Sequence, residues 1–170
     1  MAAIIDLKLV AYGNAKQNAD GSYSCQHGAG ECEADAQELC TQYLLANSDT
    51  NTMWSKSMEA WPFILCMEEA DGNPAKGESC YTSSMSNSTV SWSQVSSCVD
   101  NDFNLVTGAA KDATPNHDYV PWSLVGGELL ENSNLLQKAV CDAYTGTKPE
   151  SCKFFQAAID AKPDVHCDNN

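Results

Sequence analysis

Cysteine is the residue whose number and spacing in this chain could do chemistry. The nine cysteines are Cys25, Cys32, Cys40, Cys66, Cys80, Cys98, Cys141, Cys152 and Cys167. A cysteine thiolate can attack a disulfide or bind zinc, whereas paired cysteines cross-link proteins of oxidising compartments. Because free thiols do not persist in an oxidising lumen, we predict that the cysteines form disulfides. Their odd number leaves at least one free or paired with another chain, and we expect this to be Cys167.

Zinc is the alternative for the first cysteines of the chain. Cys25, His27, Cys32 and Cys40 all carry donor atoms, and they are separated by one, four and seven residues. This spacing lacks the paired Cys-x-x-Cys knuckles of structural zinc sites, so disulfides are favoured. The prediction is a protein that uses no metal and no cofactor.

The charge of the chain limits its partners. The formal net charge is −14, from 9 basic and 23 acidic residues. A surface so poor in lysine and arginine cannot displace counterions from nucleic acid or bind an anionic membrane, and we exclude both. No apolar run approaches the ~18 residues of a membrane span. An acidic working pH would relieve the self-repulsion, which favours an endosome or lysosome.

Two further features concern the compartment. The sequon Asn87-Ser88-Thr89 lies in a serine-rich stretch that is expected to be an exposed loop, so Asn87 is a candidate for glycosylation. Asp6 and Lys8 interrupt the first apolar residues, so the start of the chain does not have the pattern of a signal peptide. We expect a lysosomal, endosomal or extracellular protein whose signal peptide is not in this chain.

Hydrophobic periodicity predicts the first elements. Residues 4–12 alternate apolar and polar side chains and are expected to form a strand, and the polar residues 14–30 a loop. From about Asp35, apolar residues at helical spacing predict an amphipathic helix that places Cys40 on its buried face.

The middle of the chain is expected to be helical with interruptions. Residues 52–69 have helical spacing, but Pro62 should divide them into two short helices. Residues 70–87 are rich in Gly, Asn and Ser and are predicted to be a loop. Two further helices are expected at about 88–98 and 99–111.

The clearest pattern lies near the C-terminus. Two apolar runs flank Gly126-Gly127 between Tyr119 and Leu130, which is typical of a hairpin with a two-residue turn. Asn132 or Ser133 can cap the helix that follows, and the later tail with Phe154 and Phe155 is expected to pack back. The chain is therefore predicted to be one α+β domain over residues 1–170.

Several motifs occur in a recognisable order. They are Val10-Ala11-Tyr12-Gly13-Asn14-Ala15, then Cys25-Gln26-His27-Gly28 with Glu31-Cys32 and Cys40, then Cys66-Met67-Glu68-Glu69, and finally His117-Asp118-Tyr119-Val120-Pro121-Trp122. This series is similar to the gamma-interferon-inducible lysosomal thiol reductase (GILT) family and covers residues 4–152. The eight cysteines from Cys25 to Cys152 fit the cysteine framework that the resemblance implies.

The resemblance implies a thioredoxin-like fold of the DsbA type. Residues 31–111 would be a long cysteine-rich helical insertion, and residues 117–145 the cis-proline strand, hairpin and C-terminal helix. Because the cis-proline loop of that fold pairs with extended substrates, Val120 and Pro121 are the expected substrate-binding residues. The alternative for Pro121 is a turn proline that opens a strand.

The cysteine motif has a less definite implication. Gln26, His27, Gly28 and Glu31 match the family motif. No mechanism requires His27 as a base, and a packed loop histidine is the favoured interpretation.

The family reduces protein disulfides in acidic endocytic compartments with a Cys-x-x-Cys pair at the start of a helix. No Cys-x-x-Cys occurs among the 170 residues. We therefore expect a chain that begins at the second strand of the family, lacks the first strand and catalytic helix, has no catalytic residue and is inactive as written. The alternatives are a secreted, disulfide-rich module that binds extended polypeptides without reducing them, and a fragment of a truncated gene model.

Overall fold

The computed structural model describes residues 4–153, and in them the chain is helix-rich with a few short strands and four disulfides. The elements, in chain order, are β1 (Lys16–Gln17), β2 (Tyr23–Ser24), α1 (Ala29–Leu45), α2 (Ser57–Glu69), α3 (Gly77–Ser84), α4 (Trp92–Ala113), β3 (Leu124–Val125), β4 (Glu128–Leu129) and α5 (Leu136–Ala143). Short 3₁₀ turns, Met53–Lys56, Pro74–Lys76 and Ser133–Leu135, precede α2, α3 and α5.

The chain divides into two compact units. Asp6–Val120 forms the first, which we call the helical unit. Met1–Ile5 with Pro121–Asn170 forms the second, the hairpin unit, of which residues 4–5 and 121–153 are described. The predicted packing of Phe154 and Phe155 lies outside the described residues, as does Cys167.

Helix α1 is the centre of the helical unit. It begins at Ala29, earlier than predicted, and packs along α4 and against α2. Leu39 and Cys40 are fully buried, which confirms the predicted inward face of this helix. Phe63 of α2 completes the core, with its ring 5.3 Å from the ring of Tyr81. Burial of these apolar side chains is the main source of stability of the unit.

The predicted strand at residues 4–12 is wrong. Residues 5–10 are irregular, and no other described strand pairs with them. Side chains satisfy the backbone instead: Leu9 N–H donates to Ser57 Oγ at 2.9 Å, and Gln42 Nε2 donates to Leu9 C=O at 3.3 Å. Because Gln42 and Ser57 are buried and hydrogen-bonded to each other, they hold this extended segment on α1 and α2 without a sheet.

The predicted helix boundaries in the middle of the chain are also wrong. Helix α2 continues through Pro62. Proline has no N–H to donate to the carbonyl of Met58, one turn earlier, but both residues are exposed, so water can solvate that carbonyl. The predicted loop 70–87 contains α3, which the Cys66–Cys80 disulfide ties to α2. The helices predicted at 88–98 and 99–111 are one helix, α4, because no proline interrupts it.

The loop predicted at residues 14–30 contains a short hairpin. Strands β1 and β2 pair antiparallel, with Lys16 opposite Ser24. The ring of Tyr23 packs edge-on against Phe103 of α4 at 6.3 Å, and Lys111 Nζ donates to Gln17 Oε1. The hairpin is thereby fixed on α4, directly before the cysteine motif.

The hairpin predicted around Gly126-Gly127 is confirmed. Strands β3 and β4 pair antiparallel, with Val125 opposite Glu128. Gly126 and Gly127 have φ of 61° and 88°, which favours glycine at both turn positions. Asn132 then accepts a hydrogen bond from Asn134 N–H at the turn before α5.

The membrane prediction can be compared with the helices of the structure. None of those found within residues 4–153 combines the length and the apolar character needed to cross a bilayer.

Candidate functional site

The cysteine motif forms a closed loop at the start of α1. The disulfide Cys25–Cys32 joins the end of β2 to the first turn of the helix, with 5.5 Å between the Cα atoms. Gly28 lies between them at φ 95°, a conformation that glycine adopts without strain. The cross-link and the glycine together define the path of Gln26, His27 and Gly28.

His27 and Glu31 hold the loop together. The Glu31 carboxylate accepts from His27 N–H at 2.6 Å and contacts His27 Nδ1 at 3.2 Å. The carboxylate thus accepts from a backbone N–H that precedes the helix, and the positive end of the helix dipole stabilises its negative charge. The side chain of His27 is 74% exposed, so the packed loop histidine that was predicted is wrong: the ring contacts Glu31 at the surface of the loop.

Three motifs that are distant in sequence meet at Asn14. Its Nδ2 donates to Gln26 Oε1 at 2.8 Å, and its Oδ1 lies 3.2 Å from His117 Nε2. His117 Nδ1 in turn lies 2.9 Å from the carbonyl of Pro115. A single asparagine therefore joins the segment before β1, the cysteine motif and the segment that precedes Val120.

The same convergence reaches Val120. A Cβ built on Gly13 would lie 3.9 Å from Val120 Cγ1, so the chain at Gly13 is in contact range of this side chain. Val120 is 43% exposed, and Pro121, which follows it, is exposed as well. The apolar surface of Val120 is thus open to solvent near the contacts of Asn14 with Gln26 and His117.

The eight cysteines among residues 4–153 are all in disulfides. Besides Cys25–Cys32, the pairs are Cys40–Cys98, Cys66–Cys80 and Cys141–Cys152. The disulfide bonds predicted from the cysteine content are therefore present. The zinc alternative is not what the structure shows, because Cys25 and Cys32 bind each other and Cys40 binds Cys98.

An acidic cluster, consisting of Glu31, Asp35, Glu38 and Glu68, lies along α1 and α2. Burial and the charges of Glu31 and Glu68 raise the pKa of Asp35 to about 7. Burial raises the pKa of Glu38 well above its usual range, and Glu68 and Asp35 add to this. Asp35 and Glu38 can therefore hold protons at a mildly acidic pH.

Asn87 lies on an exposed turn between α3 and α4. Ser88 Oγ accepts a hydrogen bond from Val90 N–H at 3.1 Å, and the hydroxyl of Tyr81 donates to the carbonyl of Val90 at 2.9 Å, so that both bonds shape the turn. The side chain of Asn87 is accessible to a modifying enzyme.

Sequence reasoning missed the acidic cluster and the junction at which Asn14 contacts Gln26 and His117. Asn14 and His117 stand inside the recognised motifs, and their position there was the signal that could have found them. Asp35 and Glu38 occur on the predicted amphipathic helix, but periodicity alone does not indicate which charged side chains a neighbouring helix will cover.

Every cysteine among residues 4–153 is in a disulfide, so none of them is a free thiol in this structure. The contacts of Asn14 with Gln26 and His117 lie near an exposed apolar residue, Val120, which is followed along the chain by the exposed Pro121.

Comparison with known proteins identifies relatives. The family model described as "Gamma interferon inducible lysosomal thiol reductase (GILT)" matches residues 1–84. The chain is 32% identical over 168 residues to the gamma-interferon-inducible lysosomal thiol reductase of Carassius auratus, covering 89% of this chain and 61% of that protein. It is 34% identical over 158 residues to the enzyme of the same name from Mus musculus, covering 88% of this chain and 59% of that protein.

A plant protein extends this comparison. The gamma-interferon-responsive lysosomal thiol protein of Arabidopsis thaliana is 32% identical over 161 residues, covering 88% of this chain and 61% of that protein. The chain therefore spans about three fifths of the length of these curated relatives.

The fold and the site define a class of helix-rich protein framed by disulfides, with a cysteine-motif loop at the start of its central helix. Within this class the chain belongs to the GILT family.

Proposed function

We propose that this chain is part of a GILT-type thiol-disulfide oxidoreductase that reduces protein disulfides in an acidic endolysosomal or secreted compartment. Membership of a family whose named relatives are lysosomal thiol reductases supports the reaction class. The fold that accompanies this proposal is thioredoxin-like, with residues 31–111 as the helical insertion and residues 117–145 as the cis-proline strand, hairpin and C-terminal helix.

The reduction itself would use a Cys-x-x-Cys dithiol that is not among these 170 residues. In that reaction, one thiolate attacks a substrate disulfide and releases the first substrate thiol. The second cysteine then attacks the mixed disulfide, so that the substrate leaves reduced and the dithiol becomes oxidised. Val120 and Pro121 would hold the extended substrate beside this dithiol by backbone pairing.

The convergence of three motifs at Asn14 carries this proposal. Gly13, which precedes Asn14, lies in contact range of Val120, and Asn14 contacts His117, which lies shortly before Val120. The two segments that meet at Val120 are far apart in sequence. A polypeptide that lies along Val120 would cover its exposed side chain. The expected partner is a disulfide-containing or extended polypeptide, and Asn87 is the proposed glycan acceptor.

A second candidate is a module that binds extended polypeptides without reducing them. The oxidation of every cysteine within residues 4–153 favours this function for the chain taken alone. The two candidates share the binding surface and differ in whether a dithiol acts beside it.

Binding is tested with a fluorescent, extended peptide in which serine replaces cysteine. We expect the full chain to bind it and Val120→Asp to weaken binding about tenfold, because a carboxylate replaces an apolar contact. Leu105→Asp is the matched control, since Leu105 of α4 is 48% exposed in the same unit but lies outside the three motifs. Equal binding by both variants would refute the role of Val120.

The reductase part is tested in the coding region of the source organism. We expect an in-frame segment upstream of residue 1 that encodes a strand followed by Cys-x-x-Cys. If no such segment is encoded, the reductase proposal fails and the binding module is retained.

A further inference from the structure

His117 has an oxygen atom at hydrogen-bonding distance from each of its ring nitrogens. Nδ1 lies 2.9 Å from the carbonyl oxygen of Pro115, and Nε2 lies 3.2 Å from Oδ1 of Asn14. These oxygens can only accept, so each contact is a hydrogen bond only if the ring nitrogen carries a proton. A neutral imidazole has one N–H, whereas the imidazolium has two. Both bonds therefore form together only when His117 is protonated.

The contact between Asn14 and Gln26 decides which atom of the asparagine faces the ring. Asn14 Nδ2 donates to Gln26 Oε1 at 2.8 Å, which leaves Oδ1 toward His117. In the opposite arrangement, Nδ2 would donate to an unprotonated Nε2, which suits the neutral imidazole but requires the amides of both Asn14 and Gln26 to turn over. The hydrogen-bond chain His117–Asn14–Gln26 thus has two directions, and the direction in this structure is that of the imidazolium.

Asn14 belongs to a turn that is anchored in the helical unit. Ala15 N–H donates to the carbonyl of Tyr12 at 3.0 Å and closes the turn. The buried ring of Tyr12 packs edge-on against the ring of Tyr23, 6.3 Å away. The asparagine is therefore presented to His117 from a fixed part of the unit.

The same turn meets the segment of His117 a second time, at Val120. A Cβ built on Gly13 would lie 3.9 Å from Val120 Cγ1, so the neighbours Gly13 and Asn14 each face one residue of this segment. Residues 117–120 form neither helix nor strand. Because no regular backbone pairing fixes the segment, side-chain contacts of this kind hold it against the turn.

We propose that His117 is a positioning residue, whose protonation draws residues 117–120 onto the turn at Asn14 and so presents Val120 to an extended polypeptide. Hydrogen bonds from a charged donor are about twice as strong as neutral ones, so the imidazolium holds the segment more firmly. Histidine characteristically changes charge between about pH 5 and 8, so Val120 is held best at acidic pH. The binding role of Val120 rests on the proposed function, whereas the contact at Asn14 does not.

Three segments meet at this junction, residues 12–16, 26–31 and 115–120. Besides His117, their titratable residues are Tyr12, Lys16, His27, Glu31, Asp118 and Tyr119. His27 has the same ionisable group as His117, and it contacts Glu31 beside Gln26. An effect of pH on the cysteine loop must therefore be separated from one at His117, and His27→Gln is the matched control.

An NMR titration of the full chain between pH 7.5 and pH 5 tests the junction without a ligand. Long-range ¹H–¹⁵N spectra report the protons on both ring nitrogens of His117, and the nuclear Overhauser effect (NOE) between Gly13 and the Val120 methyl groups reports the contact. We expect the Asn14 amide signals and this NOE to change in step with His117, and the NOE to strengthen at pH 5. The same should hold in His27→Gln. A constant NOE, or a change that disappears in His27→Gln, would overturn the proposal.

Peptide binding shows whether this contact acts on the proposed surface. The probe is the fluorescent, cysteine-free peptide, made without ionisable side chains so that only the protein titrates. Its binding should be about three- to fivefold tighter at pH 5 than at pH 7.5, because a segment that is already held loses less freedom on binding. His117→Gln cannot gain a charge and should lose this difference, whereas His27→Gln should keep it. Unfolding curves at both pH values verify that the variants are folded.

Two outcomes distinguish this inference from the proposed function. A peptide that binds at neither pH, while the NOE follows His117, refutes the binding surface at Val120 and supports the positioning of this residue by His117. A peptide that binds equally well at both pH values, or a pH difference that His117→Gln retains, refutes the role of His117 and leaves the binding surface in place.

Discussion

The two units of the chain keep their structures by different means. The helical unit buries a large apolar core and carries three disulfides. In the described part of the hairpin unit the buried residues are Cys141 and Cys152, which are joined to each other. Leu124, Leu129, Leu135 and Leu136 of that unit are exposed.

This difference separates burial from cross-linking as a source of order. In the helical unit the disulfides reinforce helices that already share a core, as Cys40–Cys98 does between α1 and α4. In the hairpin unit the cross-link replaces the core, because a short helix and a two-residue hairpin bury too little to be stable alone. The units should therefore respond oppositely to core substitution and to loss of a disulfide.

The largest expected effect is that of a leucine in the core. Leu39→Ala should lower the free energy of unfolding by about 2–5 kcal/mol, because it removes a side chain of 0% exposure from a packed core. The measurement is urea unfolding followed by circular dichroism.

The same substitution in the hairpin unit is the control. Leu124→Ala removes a side chain of 49% exposure and should change stability by less than about 0.5 kcal/mol. A comparable loss in both variants would mean that the hairpin unit has a core of its own.

The next effect is the loss of the cross-link in the hairpin unit. Cys141→Ser with Cys152→Ser should destabilise this unit by about 2–4 kcal/mol, since the bridge closes a short loop and little else restrains the chain. The amide signals of Gly126 and Gly127 should shift toward random-coil positions, because Gly126 lies against Ala143 of α5.

In the helical unit a comparable bridge can be removed by Cys66→Ser with Cys80→Ser. The core signals should then stay dispersed in NMR spectra, because Phe63 and Tyr81 still pack between α2 and α3. Collapse of both units after either change would refute the different sources of stability proposed for the two units.

The response to pH should also differ between the units. The pKa of Asp35 is raised to about 7, above its ordinary value, so the folded helical unit binds a proton that the unfolded chain has lost. The contribution of Asp35 to stability is fully present below the ordinary pKa of aspartate and is lost as the pH rises through about 7. Between pH 5 and 8 we expect a loss of about 2 kcal/mol.

Urea unfolding at several pH values checks this sign. Asp35→Asn should reduce the dependence, because the amide imitates the protonated acid, but should leave the part that comes from Glu38, whose pKa is also raised. Glu69→Gln at an exposed site should leave the dependence unchanged. In the hairpin unit, the hydrogen bond from Lys138 lowers the pKa of Asp142, so that its contribution is lost as the pH falls. A helical unit that is more stable at pH 8 than at pH 5 would contradict this prediction.

The smallest effect is that of a helix cap. Ser91 Oγ accepts from Gln94 N–H, and Gln94 Oε1 accepts from Ser91 N–H at the start of α4. Ser91→Ala should cost about 1 kcal/mol and lower the melting temperature of the helical unit. Asn132 caps only a 3₁₀ turn in the hairpin unit, so Asn132→Ala should leave the melting temperature of the helical unit unchanged. A Ser91→Ala protein with an unchanged transition would show that packing alone sets the start of α4.

The comparison also indicates which features can be predicted from sequence. The inward face of α1 at Cys40 and the turn at Gly126-Gly127 follow from local periodicity and backbone preference, and both were predicted. The strand at residues 4–12 was wrong because a strand requires a partner that local sequence does not contain. Pro62 was overestimated as a helix breaker because its exposed position allows solvation.

The candidate site was predicted in part. The motifs indicated Val120, Pro121 and the cysteine loop, but spacing alone could not show that Asn14 joins Gln26 to His117. The assignment of disulfide partners likewise depends on which helices pack together, as Cys40 and Cys98 show. Long-range packing supplied what local patterns lacked.

The most direct test of the account is an assay of insulin reduction by the 170-residue chain at pH 5 with a regenerating dithiol. Because the cysteines of this chain are expected to be cross-links and none of them the reducing pair, we predict no turnover above that of the dithiol alone. Turnover by the chain that disappears in the Cys25→Ser, Cys32→Ser variant, or in a variant of any other cysteine, would contradict it.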